Sequence, residues 1–201
     1  MITPDIVRGL WGHLGQKYRT RVIHKGTAKE MLLIGEAMDM MGLMNKETFA
    51  HRMTTTVGRT IYIPFELGYA SNDHPLESQL IIGAHEHQHV VQLDAPGGGM
   101  KYGISYLMDS TWRAAYEAEA YRVSLTLKYY LEGVMPDLNV YVETLKSYQT
   151  TQKDRDFVRE YLRLSLPTLK NGGIPDVAAQ VSIEWLRSHA PHTLKLLKAQ
   201  K

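Results

Sequence analysis

The sequence predicts a mostly helical α+β fold, in which a small β-sheet or hairpin precedes a histidine-bearing helix and further helices run to the C-terminus. Three observations predict it. Apolar residues recur at helical spacing over most of the chain. One stretch, MTTTV followed by Gly58 and RTIYIPF, changes to a period of two about a glycine, the pattern of a hairpin. Proline and glycine clusters, DAPGGG at 94–99 among them, cut the helical patterns into separate segments. With 201 residues, 44% of them hydrophobic, the chain is long enough to bury a core.

Taken in order, Thr3 and Pro4 open a first helix to about Tyr18, with the threonine as N-cap and proline at the first helical position. RVIH reads as a short strand. Thr27 with Glu30 three residues later is a capping-box signature opening a methionine-rich helix, AKEMLLIGEAMDMMGLM, whose methionines read as core filler. From about Phe49 to Phe65 the hairpin pattern takes over, turning at Gly58. Pro64 has no N–H to give a ladder, so the second strand ends there or lies at an edge. After the polar YASNDH, Pro75 starts a helix that carries the histidines to about Leu93. A long helix is expected from about Ile104 to Leu131, closed by Gly133 and Pro136, and three more at about 137–149, 152–170 and 175–189. Residues 1–133 then form the core and 134–201 a helical C-terminal subdomain, although no linker separates the two. The last stretch, LKLLKAQK, reads as a frayed helix turn.

Composition removes several function classes. A net charge of +2 and the lack of any arginine–lysine stripe argue against nucleic acid as a partner. No stretch approaches the ~20 apolar residues a membrane span needs. The N-terminus has no basic stretch followed by an apolar one, so no signal peptide is read, and the chain is expected to start in the cytoplasm. Later release, or incorporation into a particle, is compatible with that. There is no cysteine, so disulfides and thiolate ligands are excluded.

The chemistry concentrates in IGAHEHQHVVQL, residues 82–93. At about 100° per residue, His85 and His89 share one flank of a helix, Glu86 lies beside them and His87 points elsewhere. Two imidazoles one turn apart can grip the same ion. His85-Glu86-x-x-His89 is the H-E-x-x-H pattern, in which the histidines hold zinc and the glutamate is the general base. Zn2+ accepts neutral imidazole nitrogen and, in catalytic sites, keeps one position open. A third ligand is expected from the next helix, in YEAEAYR at 116–122, where Glu117 and Glu119 lie about 200° apart and cannot both face one ion. The glycines at 97–99 read as a mobile loop rather than a phosphate cradle, because no GKS/T follows.

In these residues the chain resembles the gluzincin metallopeptidases, particularly minimal ones, which pair an HExxH helix with a second helix bearing a glutamate, often in an E-x-x-A-D setting. The resemblance covers about 60 residues, from the hairpin to Arg122. Glu117-Ala118-Glu119-Ala120 matches E-x-x-A and favours Glu117 as third ligand, while a different alignment would choose Glu119; Tyr121 stands where an aspartate is common. The resemblance implies a zincin-like fold, zinc-dependent hydrolysis of a peptide or protein, and substrate pairing along the strand at 59–64. It also offers Tyr121, or Arg113, to steady a tetrahedral intermediate. The alanines at 114, 115, 118 and 120 would let the second helix approach closely. Gln92 reads as a structural amide beside the ligand face, His87 as a surface or supporting histidine, and the remaining histidines as structural or exposed. Two other classes fit the same residues: an assembly component, of a phage particle or secreted machine, in which zinc staples two helices, and a histidine-rich metal carrier.

Overall fold

Thr3 caps the first helix, α1 (Pro4–Tyr18), with its side chain accepting from the Ile6 amide and Pro4 at the first position, as the sequence predicts. The structure is a computed structural model and describes residues 1–40, 46–95 and 99–196. The fold is α+β and mostly helical. A strand β1 (Arg21–His24) follows α1, and then come α2 (Lys29–Met40) and α3 (Lys46–His51). Two further strands, β2 (Thr55–Val57) and β3 (Thr60–Ile63), turn about Gly58, whose φ of 59° lies in the left-handed region that glycine enters without strain. The helices α4 (Leu76–Asp94), α5 (Met100–Met108), α6 (Ser110–Glu132), α7 (Leu138–Thr144), α8 (Gln152–Lys170) and α9 (Val177–His189) complete the chain.

Four local expectations are corrected. The capping box at Thr27 does not form: the Thr27 hydroxyl donates to the His24 carbonyl at 2.8 Å, and Glu30 instead accepts from the Tyr62 phenol at 2.9 Å. The segment around Phe49 is helical, with the extended period starting only at Thr55. The long helix is broken at Asp109, whose carboxylate accepts from the amides of Thr111 and Trp112 and so starts α6 afresh. Strand 59–64 is not an edge. β3 is the centre of a three-stranded sheet, parallel to β1 on one side and antiparallel to β2 on the other, so both its ladders are occupied and it has none to offer a peptide. Pro64 ends β3 without making it an edge, and among the described residues the open ladder nearest α4 belongs to β2.

The parts of the methionine-rich helix at 41–44, of the glycine loop at 97 and 98, and of the tail at 197–201 lie outside the described residues.

Helix α4 runs through the middle of the molecule. Val7, Leu10, Trp11 and Leu14 of α1 pack with Ile61 and Ile63 of β3 and with Leu80 and Val90 of α4. On the other side Ala84 of α4 packs with Val123 and Leu127 of α6 and with Ile183 and Leu186 of α9. At Gly83 the helix lies close against α1: a Cβ there would lie 2.8 Å from the Trp11 ring. The helices beyond residue 134 lean on the same elements, with α8 burying Val158, Leu162 and Leu169 against Ala114, Ala118 and Leu125 of α6. Ala114 and Ala118 lie in this α6–α8 contact. No helix among the described residues is long and apolar enough to cross a membrane.

Candidate metal centre

A helix enclosed by α1, α6, α9 and the sheet should be apolar all round, yet α4 buries Glu86, His87, Gln88, His89 and Gln92. Buried polar groups persist only where partners satisfy them.

His85 and His89 stand one turn apart with ring centroids 5.0 Å from each other. Glu117 of α6 reaches across to both: its Oε2 lies 3.5 Å from His85 Nε2 and its Oε1 lies 3.5 Å from His89 Nε2. One atom from each of the three residues falls within 4.8 Å of the others, and all three residues are buried, so the group could hold a metal ion. Among the described residues no other three such side chains converge in this way.

The far side of each of the three residues is held as well. Ser124 donates its proton to the Ala120 carbonyl at 3.3 Å, so its oxygen accepts from His85 Nδ1 at 3.1 Å and His85 keeps its Nε2 lone pair for the site. His89 Nδ1 lies 2.9 Å from the Gln92 side-chain oxygen and 3.2 Å from the Tyr102 hydroxyl. The Tyr106 phenol donates to Glu117 Oε1 at 2.6 Å. Glu117 Oε2 is buried with no hydrogen-bond partner among the described residues, since 3.5 Å to the His85 ring is too long for one. An orphaned carboxylate oxygen facing imidazole nitrogens is the arrangement a cation would satisfy. The residues present fit a metal.

No protein-family model, no curated protein and no solved structure matches this chain. What the site can do follows from its own residues.

Burial would push the Glu117 carboxyl up, but the positive charges of His89 and His85 and the hydrogen bond from the Tyr106 phenol outweigh it and hold the group down to about 2. The Tyr106 and Tyr121 phenols are raised well above their ordinary range, by burial first and by the Glu117 charge second, and so stay protonated donors. Tyr121 is a wall of the site: its ring lies 5.2 Å from that of His85 and 5.5 Å from that of Tyr141. Arg113 is engaged elsewhere, donating to the Tyr106, Leu107 and Tyr148 carbonyls and so fixing the end of α5.

Glu86 sits beside the triad, 6% exposed, and accepts a 2.6 Å hydrogen bond from the Thr56 hydroxyl on β2. Lys25 adds the nearby positive charge. It is 2% exposed, donates to the Phe49 carbonyl at 2.8 Å and lies 3.7 Å over the Phe49 ring. Burial pulls its ammonium down to about 7 against the opposing pull of the Glu86 charge.

His87 points away from the triad, as the helical wheel requires, but into the core rather than to the surface. Its Nδ1 meets the Gly83 carbonyl at 2.6 Å and its Nε2 the Thr20 hydroxyl at 2.9 Å, and burial pulls it down to about 4. Glu119 is turned from the imidazoles and accepts from the Gln92 amide nitrogen at 2.9 Å.

Sequence reasoning missed Thr56, Lys25, Tyr102, Tyr106 and Ser124. A signal existed for the tyrosines: Asp109-Ser110-Thr111 is an N-cap sequence, and reading the break there isolates α5 with Tyr102 and Tyr106 at i and i+4 on one face. Lys25 and Thr56 lie far from the motif in sequence and carry none.

Proposed function

We propose that this chain is a zinc-dependent peptidase of gluzincin type, with His85, His89 and Glu117 as ligands and Glu86 as the proton carrier. The observation that supports it most is the pairing of a buried His-His-Glu set with a second buried carboxylate, next along the same helix and tied to the open strand β2. Two imidazoles and one carboxylate are a donor set that zinc takes in catalytic sites with a position left over. When bound there, such an ion makes water more acidic and polarises a carbonyl. Glu86, held by Thr56, takes the proton from the attacking water and passes it to the leaving amine. A peptide adding to the free ladder of β2 would lie along the strand that holds Glu86, a form of strand addition. Tyr121, protonated and against the His85 ring, would donate to a developing negative oxygen.

The test is Glu86→Gln beside the wild type on a peptide library. The variant should bind zinc as before and lose cleavage by a factor of about 100 or more, the scale of general-base catalysis. Cleavage retained in Glu86→Gln would refute the mechanism.

A second reading, zinc as a staple between α4 and α6, is favoured by the burial of all three residues where these two helices pack together. It predicts zinc-dependent stability with no turnover on any peptide.

A further inference from the structure

We infer that Gln92 and Glu119 are positioning residues that fix the tautomer of His89, and so decide whether its Nε2 can take a metal. The inference rests on the metal-centre reading and is independent of peptide hydrolysis.

A neutral imidazole carries one proton, and a ligand nitrogen must not be the one that carries it. For His85 the choice follows from Ser124. For His89 the neighbours at Nδ1 are ambiguous by themselves, because a primary amide presents an acceptor at one end and donors at the other, and the Tyr102 hydroxyl can do either. The polarity is settled one step further out. The Gln92 nitrogen lies 2.9 Å from the Tyr116 carbonyl and 2.9 Å from Glu119 Oε2. Both are acceptors without a proton to give, so both N–H groups of the amide are directed at them. Turning Gln92 over would bring its oxygen against a carbonyl and a carboxylate at hydrogen-bond distance with no proton between them, in a residue that is 6% exposed. The oxygen therefore faces His89 Nδ1 at 2.9 Å, where it can only accept. The proton is held on Nδ1, and the Nε2 lone pair is left facing Glu117.

This gives Glu119 a function that its place on α6 hides. Its carboxylate acts on His89 through an amide, from the side of the helix opposite Glu117. Two glutamates on one turn of α6 thus meet the same histidine at its two ends, one across the candidate ion and one through Gln92.

The experiment uses the full chain with 15N-labelled histidine. In the metal-free wild type at pH 9, a long-range 1H–15N spectrum should show His89 as the Nδ1–H form; a predominant Nε2–H form would overturn the inference without any variant. Zinc affinity, by competition with a chromophoric chelator, should then follow the hydrogen-bonding character of position 119. Glu119→Gln can still accept and should bind within about threefold of wild type. Glu119→Leu should be weaker, and Glu119→Lys, offering only donors, weaker again, by about 10- to 100-fold, the range for supporting residues of metal ligands. Gln92→Leu should fall in that range too and release the tautomer. Equal affinity across the position-119 series, or an unchanged spectrum in Glu119→Lys, would overturn it. Loss of peptide cleavage with this ordering intact would count against the peptidase reading alone.

Discussion

Thr56 of β2 donates to Glu86 of α4 across 2.6 Å, so the open strand and the proposed proton carrier are joined by one short, charge-assisted hydrogen bond. Such bonds contribute about 1.5–3 kcal/mol when neither partner is left free to turn. Thr56→Val keeps the shape of the side chain and removes the donor. Under the peptidase reading kcat should fall about 10- to 100-fold while zinc affinity is unchanged, because no ligand is touched. Steady-state kinetics beside a zinc titration checks this, and an unaltered kcat would separate the strand from the chemistry.

If the triad holds zinc, as proposed, zinc should stabilise the fold. The triad joins α4 to α6, and an ion bound only by the folded chain adds about 2.7 kcal/mol at a hundred times its Kd. At about 2–4 °C per kcal/mol for a chain of this size, the melting temperature should rise by roughly 5–10 °C and return on chelation. Glu117→Ala should melt at the same temperature with and without zinc. Differential scanning calorimetry at fixed metal concentration reads both.

The secondary-structure periods and the spacing of His85 and His89 were legible because both are local: a helix turns by about 100° per residue whatever surrounds it. The position of β3 was not, since its two partners come from either side of it in the sheet, and β1 joins it in parallel from 39 residues away, Arg21 opposite Thr60. Pro64 described only the end of the strand, while neighbours decide whether a strand is an edge. The buried polar set on α4 shows the same boundary. Glu86 and His89 could be named from the motif, but the groups that hold them, Thr56, Gln92, Tyr102 and Glu119, answer to geometry across several elements. His87 shows it most plainly: the wheel gave its direction away from the triad, and only the packing of Trp11 and Tyr18 around it shows that this direction is inward.

Tyr106→Phe and Tyr121→Phe should part company. The Tyr106 hydroxyl donates directly to Glu117 Oε1, whereas Tyr121 meets the site with its ring, 5.2 Å from that of His85. Removing the first leaves the ligand carboxylate free to rotate and should weaken zinc binding about tenfold or more. Removing the second should leave affinity unchanged and, under the peptidase reading, lower kcat. Chelator competition on the two variants side by side distinguishes them.

Gly83→Ala should destabilise the fold by about 1–3 kcal/mol, the range for overpacking a close contact. A Cβ there would meet the Trp11 ring at 2.8 Å, and that ring is itself pinned by its N–H to the Gln79 carbonyl at 2.8 Å. Chemical denaturation of the metal-free variant measures the loss, which falls on the α1–α4 packing two residues before the first ligand.

Lys25 should give the fold a stability that rises with pH. Its ammonium is pulled down to about 7 in the folded chain from an ordinary 10.5, by burial against the opposing charge of Glu86. Between those two values the unfolded chain binds the proton and the folded chain does not, so unfolding becomes harder as pH rises through the window. Below 7 both states are protonated and the destabilisation is at its full, constant size; above 10.5 neither is, and it vanishes. Lys25→Met carries no such proton, so the difference in denaturation free energy between it and the wild type should shrink steadily from about pH 7 to about pH 10, with the variant the more stable at the lower end. The Glu86 charge raises the Lys25 value, and Glu86→Gln should therefore extend the slope to below pH 7. Measured on metal-free protein, a Glu86→Gln profile identical to wild type would show that the two buried charges do not act on each other.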